Sequence, residues 1–249
     1  MTKALPKKLK KEPLLDAIFE VRFSGSSSAS VVLPGALFSK IQGIKSVEQL
    51  PIAELPKAMR DADPNLKYSP LSRLDWGKFF INVGDFSLSI NCKHPYPGWE
   101  EFKPAIIKVI EAFSGSGVSA TVDRYSLKYI DMLSASDDRQ KVSMINFDVT
   151  MAGHKLEEEP FHIRIEIPRD GLKNIVQVIS AAQATLHTGI KREGIIIDVD
   201  TVATFNAITL EKLLGDFSDK LDVIHHTNKA MFFDCIMPST LKSLEPVYE

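Results

Sequence analysis

A chain of 249 residues, 44% hydrophobic and 25% charged, has the balance of a globular protein with one large core or two small ones. It contains no apolar run near the roughly 18 residues of a membrane helix and opens with no secretion signal, so a cytoplasmic protein is expected. Cys92 and Cys235 have neither the number nor the spacing of a disulfide framework or zinc site and are expected as free thiols, while the net charge of -2 hides five lysines before residue 12 and a body of 25 bases against 32 acids.

Those lysines (Lys3, Lys7, Lys8, Lys10 and Lys11) read as a solvated basic arm over residues 1–12. The acidic body repels phosphate backbones, which disfavours general nucleic-acid binding. After the arm, "LLDAIFEVRF" alternates, with Leu15, Ala17, Phe19, Val21 and Phe23 on one face, and predicts a half-buried strand. "SGSSSAS" predicts a loop and "PGALFSKIQG" a short helix, proline near its start and Gly43 near its end. From Ser46 to Pro70 four prolines and weak periodicity predict an irregular connection with one short helix over Ala53 to Asp61.

"KFFINVGDFSLSIN" predicts a hairpin in which Phe79, Ile81 and Val83 face Phe86, Leu88 and Ile90 across a Gly84-Asp85 turn. Trp99, Phe102, Ile106, Val109, Ile110 and Phe113 recur at helical spacing before the stop "SGSG". "VSATVDRYSLKYIDML" predicts a long strand whose apolar parity shifts between Val122 and Tyr125, as at a bulge. This order, β-α-β-β-α-β, predicts a ferredoxin-like lobe over residues 13–135.

Four strand-like runs follow: "KVSMINFDVTM", "FHIRIEIP", "NIVQVISAAQATL" and "GIIIDVDTVATF". "RDG" joins the middle pair and a Thr-Gly link the last pair, predicting an antiparallel meander. One long helix is predicted from an N-cap at Thr209 to about Met237, followed by a tail. Residues 136–249 thus predict a helix-grip-like lobe, and the fold class is α+β, both lobes forming one compact unit.

Within that helix, Leu210, Leu214, Phe217, Leu221, Asn228, Phe232 and Cys235 fall in one stripe flanked by Ile224 and Met231. His225 lies just inside the stripe and His226 about 100° from it, toward Asp222 and solvent, so adjacent imidazoles cannot share a metal. Ten residues, roughly 15 Å of helix, separate His225 from Cys235. His225 and Asn228 are i, i+3 neighbours, read either as a buried polar pair holding helix register or as the lining of a ligand cavity under the helix.

Asp198 and Asp200 share a strand face about 7 Å apart, spacing that could hold one divalent cation such as Mg²⁺ for phosphoryl chemistry, or that pairs with Arg164 or Lys191. In "DRYSLKYID", Arg124, Ser126 and Lys128 line one face and Tyr125, Leu127 and Tyr129 the other. That pattern suits a phosphate or nucleic-acid contact, or cross-strand pairing with Glu20 or Asp123. The remaining histidines, 94, 154, 162 and 187, have no shared spacing. Gly-rich phosphate loops, G-x-G-x-x-G, G-x-S-x-G, H-E-x-x-H and C-x-x-C are all missing, which removes the commonest nucleotide, serine-hydrolase and zinc-protease chemistries. No catalytic residue and no resident cofactor are expected.

Four segments in order, "LKKEPLLDAIFEVRF", "NCKHPYPGWEEF", "DRYSLKYIDML" and "LDVIHHTNKAMFFDCI", resemble the sporadically distributed prokaryotic protein family of unknown function. In that family the third block usually reads Arg-x-x-Leu-Arg-Tyr-Ile-Asn. Arg124, Leu127, Tyr129 and Ile130 match it, while Lys128 and Asp131 depart. The resemblance implies no chemistry; it implies an accessory protein of mobile or defence-type loci that works beside protein partners, and a protein partner or a second copy of the chain is the expected occupant of its surface. The expected function is a non-catalytic binding or assembly module, with a metal-dependent phosphodiesterase or nuclease on Asp198 and Asp200, or a receptor using His225 and Asn228, as alternatives.

Overall fold

The computed structural model describes residues 4–25, 29–134, 138–185 and 191–248. Its first half runs β1 (Lys8–Leu9), β2 (Leu14–Gly25), α1 (Ala29–Lys40), β3 (Ile44–Gln49), a 3-10 turn (Pro51–Glu54), α2 (Lys57–Ala62), β4 (Ser72–Trp76), β5 (Phe79–Val83), β6 (Ser87–Cys92), α3 (Trp99–Ser114) and β7 (Ala120–Ser134). The second half runs α4 (Asp138–Ser143), β8 (Thr150–Met151), β9 (His154–Lys155), β10 (His162–Arg169), β11 (Leu172–Thr185), β12 (Lys191–Thr209), α5 (Leu210–Leu214), α6 (Phe217–Cys235), α7 (Pro238–Ser243) and β13 (Pro246–Val247). The chain is α+β and its pairing mostly antiparallel. No helix among the described residues is long and apolar enough to cross a membrane.

The residues group into two compact units that are not the consecutive stretches 13–135 and 136–249. One comprises Met1–Asp16, Lys128–Thr201 and His225–Glu249, the other Ala17–Leu127 and Val202–Ile224. β2, β7, β12 and α6 each supply residues to both, because packing between strands, not chain continuity, sets a unit.

In the unit built on Ala17–Leu127, neighbouring strands run β3, β4, β5, β6, β2, β7, β12. Ala17, Phe19, Val21 and Phe23 are buried as their alternation requires. Phe102, Ile106, Val109, Ile110 and Phe113 of α3 are buried too, with the Phe113 ring 4.9 Å from that of Phe23. The hairpin forms, but with Val83 opposite Leu88 and Gly84 N–H donating to Ser87 O, so its turn centres on Asp85-Phe86, one residue later than predicted. Two strands, β3 and β4, extend the expected β-α-β-β-α-β order. β3 is an edge strand exposed along almost its whole length, so it carries no apolar alternation, and β4 buries Leu74 while Trp76 is half-buried. α1 starts at Ala29, five residues before Pro34, because Ala29, Leu33 and Leu37 form a buried i, i+4, i+8 stripe that outweighs the missing proline donor.

In the other unit the order is β10, β11, β12, β7, β2. One face buries Leu133, Val176, Val178, Ile195, Ile197 and Val199 against Met231, Phe232 and Ile236. The turn between β10 and β11 is the predicted Arg169-Asp170-Gly171, with φ of 53° and 75° at Asp170 and Gly171. The Thr-Gly link between β11 and β12, like His187, lies outside the described residues. The strand predicted over 141–151 is instead the end of α4, a bridge from Ile145 to Ile236, and β8. Its apolar residues are spent singly: Ile145 enters the core, while Phe147 stacks on Phe161 at 4.5 Å. The basic arm is tied down where β1 pairs with β13 and Lys11 bridges Glu245 at 2.9 Å. In β2 it is Leu14, not Leu15, that is buried.

Thr209 caps the C-terminal helical run, accepting the Lys212 N–H at 3.3 Å, as predicted. The run is divided at Gly215-Asp216 into α5 and α6, and Leu213, not Leu214, is the buried residue that continues the stripe from Leu210 to Phe217. α6 then buries Phe217, Leu221, Ile224, Asn228, Met231 and Phe232, and the expected tail forms α7 and β13.

Gly194 marks a close strand approach: a Cβ there would lie 2.1 Å from the Leu133 carbonyl oxygen. Backbone cannot swing away as a side chain can. Gly194→Ala is therefore expected to cost about 1–3 kcal/mol, read as a lower urea midpoint with an unchanged slope.

Candidate functional site

On β12, Ile195, Ile197 and Val199 enter the core, so the pleat turns Asp198 and Asp200 to the opposite face of the strand. Lys128 of β7 and Gln177 of β11 meet them there. The Lys128 Nζ lies 3.5 Å from Asp198 Oδ2 and 3.8 Å from Asp200 Oδ2, and Gln177 Nε2 donates to Asp198 Oδ2 at 3.1 Å. Both aspartates are buried, 9% and 8% exposed. The remaining oxygen of each, Oδ1, is sealed from solvent and has no hydrogen-bond partner among the described residues.

Electrostatics follow from that burial. Desolvation lifts the Asp198 carboxyl above its ordinary range, Lys128 pulls it down and the neighbouring Asp200 charge pushes it up again. Asp131, buried with 6% of its surface exposed, is pushed up to about 8 by burial first and then by the negative charges of Glu12 and Asp198. Glu12 is itself raised by burial. The Lys128 ammonium therefore faces Asp198 and Asp200, while Asp131, two residues before the core residue Leu133 on β7, belongs to the other face of the strand.

The partner of the aspartates is Lys128, not the expected Arg164 or Lys191; Arg164 is held at 3.0 Å by Glu166 two residues along its own strand. Arg124 pairs with Glu20 at 3.1 Å, as cross-strand pairing predicts, and its buried Nε has no partner among the described residues. Glu20 also takes Arg22 at 2.6 Å, while Asp123 accepts the Ser24 hydroxyl at 2.5 Å. Arg124 and Lys128 thus serve different carboxylates.

His225 is half-buried with its ring 6.0 Å from that of Tyr129, and His226 is exposed. Asn228 is buried: its Nδ2 donates to Val199 O at 2.8 Å and to Thr201 Oγ1 at 3.0 Å, and the Thr201 hydroxyl donates to Asn174 Oδ1 at 2.7 Å. That chain ties α6 to β12 through Asn228. Neither Cys92 nor Cys235 forms a disulfide, and burial lifts the Cys235 thiol to about 11, so it stays protonated. Among the described residues no three His, Cys, Asp or Glu side chains gather closely enough to hold a metal ion.

A separate groove of about 690 Å³ lies on α3 and the start of α6, lined by Trp99, Lys103, Ile107, Ser218 and Asp222. Asp222 anchors it, accepting the Trp99 indole N–H at 3.1 Å and Lys103 at 2.7 Å.

Gln177, Asp131, Asn174 and the tie from Lys128 to the aspartates escape sequence reasoning, since they depend on which strands lie side by side: Gln177 joins Asp198 on one face of the sheet, while Asn174 joins Thr201 on the other. Asp131 carried one signal, an acid inside the apolar run "YIDML". A scan against protein-family models finds no match to the chain, and a search of curated proteins finds none either.

Proposed function

We propose that the chain is a non-catalytic module that binds a peptide segment of a partner protein, with the face around Lys128, Asp198 and Asp200 as its recognition surface. The observation that supports this reading is a pair of buried carboxylates sharing one loosely held lysine, each with an oxygen left unpaired among the described residues. Buried acceptors without donors are unfavourable, and a site that keeps them is better matched to a ligand than to the free chain. The resemblance to the sporadically distributed prokaryotic family supplies the setting: an accessory protein of mobile or defence-type loci acting inside the cell beside protein partners. Ferredoxin-like and helix-grip-like descriptions of the two lobes belong to this reading as analogy.

The alternative of a metal-dependent phosphodiesterase on Asp198 and Asp200 calls for a third hard ligand, and places the cation against an ammonium that already contacts both acids. Binding is thereby favoured over catalysis. A receptor role for His225 and Asn228 has less support, because the Asn228 amide nitrogen already donates to two acceptors in the core.

Panning a library of displayed random peptides on the immobilised intact chain tests the proposal, with counter-selection on a folded Asp198→Asn/Asp200→Asn variant. Enriched peptides are expected to bind the native chain at least about tenfold more tightly, a difference of roughly 1.4 kcal/mol. Peptides that bind both proteins equally overturn the assignment.

A further inference from the structure

Resting on the binding role proposed above, we infer that the group received at this face is the guanidinium of an arginine side chain on the partner's peptide segment, and that Lys128 is an internal placeholder which it displaces.

Lys128 itself shows what an ammonium achieves here. Its Nζ reaches one oxygen of each carboxylate, at 3.5 and 3.8 Å, and leaves Oδ1 of both without a donor among the described residues. Charge-assisted N–H to carboxylate bonds run to about 2.7–2.9 Å, so neither contact is a well-formed one. Two carboxylates against one ammonium also leave a net charge of about -1, and Asp198 remains above its ordinary range despite Lys128 and Gln177. The site is short of both N–H donors and positive charge.

A guanidinium supplies both in one group. Its five N–H donors are spread over the edges of a rigid plane, so a single group can bond two carboxylates at once. Asp198 and Asp200, two residues apart on one strand, stand about 7 Å from each other, a span that suits this bridging. A divalent cation fits less well: it needs about six or more hard ligands, and among the described residues no third His, Cys, Asp or Glu comes within coordinating reach of both aspartates.

Access depends on Lys128. Its side chain is 27% exposed against 13% and 11% for those of Asp198 and Asp200, and its four-carbon stem is flexible. Moving it outward frees the Oδ2 oxygen that it contacts on each carboxylate. The same face continues across Gln177 to Arg164, its register partner on the edge strand β10, where Arg164 and Glu166 are exposed. A peptide flanking the arginine has room along that edge.

The test is calorimetric titration of the intact chain with a capped Gly-Arg-Gly peptide, a capped Gly-Lys-Gly peptide and arginine amide. The arginine peptide is expected to bind at least about tenfold more tightly than the lysine peptide, and more tightly than arginine amide. Lys128→Gln, which keeps a donor but removes the competing charge, is expected to tighten the arginine peptide about tenfold, whereas Asp198→Asn and Asp200→Asn each weaken it at least about tenfold. Equal affinity for lysine, unchanged or weaker affinity in Lys128→Gln, or no binding to either protein at about 10 mM overturns the inference; arginine amide binding as tightly as the peptide overturns the peptide source. If an aspartate variant fails to fold, Lys128→Gln decides alone. Panned peptides that depend on Asp198 and Asp200 yet carry no arginine would end this inference while leaving the binding role standing.

Discussion

Asp131→Asn is expected to stabilise the protein strongly at alkaline pH and hardly at all at about pH 4. The sign follows from linkage. Folding raises the Asp131 pKa from 3.8 to about 8, because burial and the charges of Glu12 and Asp198 disfavour its anion. Below the unfolded value both states hold the proton, and the favourable contribution is fully present. As pH rises the unfolded chain releases its proton first, and the contribution is lost progressively until the folded acid also ionises near pH 8. Every tenfold change in proton affinity on folding is worth about 1.4 kcal/mol; allowing for relaxation around the anion, the permanently neutral amide of the variant is expected to recover about 2–5 kcal/mol near pH 9. For a chain of this size that is roughly 5–15 °C in Tm. Thermal melts of both proteins from about pH 4 to pH 9 check it: the curves should diverge as pH rises, and parallel curves would show that Asp131 does not titrate with folding.

Arg60→Met is expected to be among the most damaging single changes outside the apolar core. Arg60 and Asp85 are both buried, 8% and 5% exposed, and their side chains meet at 3.0 Å. The guanidinium also donates to the Leu55 carbonyl oxygen, and Ser30 donates its hydroxyl to the other Asp85 oxygen at 2.6 Å. One pair therefore ties the connection before α2, the β5-β6 turn and the first turn of α1. Removing the cation leaves a buried carboxylate with the Ser30 hydroxyl as its remaining side-chain donor among the described residues, a loss of about 3–5 kcal/mol. Arg60→Met/Asp85→Asn should lose less than the sum of its single changes, because the damage in each is the unpaired partner. Urea midpoints of the four proteins measure this coupling, and additive losses would reduce the pair to ordinary packing.

Elements that bury an amphipathic face were legible in the residue pattern. Ala17 to Phe23, the hairpin pair β5 and β6, the α3 stripe from Phe102 to Phe113 and the cap at Thr209 all lie where their periodicity or capping chemistry puts them. Elements held by remote partners were not. β3 is an exposed edge whose place depends on β4, α1 starts where Ala29 finds the core, and residues 141–151 form no long strand because Ile145 and Phe147 each pack singly. The candidate site divides in the same way. Asp198 and Asp200 were recognisable as a pair on one strand face, and Arg124 as a partner for Glu20. Lys128 was read beside Arg124, its neighbour on β7, when its charge is spent on β12.

The sequence by itself determined the α+β class, most of the regular elements and the strand faces that carry charge, since periodicities of about 2.0 and 3.6 residues are properties of a local stretch of chain. Only the tertiary structure decided that residues 128, 177, 198 and 200 share one neighbourhood and that Asp131 is buried. Those facts depend on which strands lie side by side and how much water they exclude, and both arise from contacts between residues dozens of positions apart.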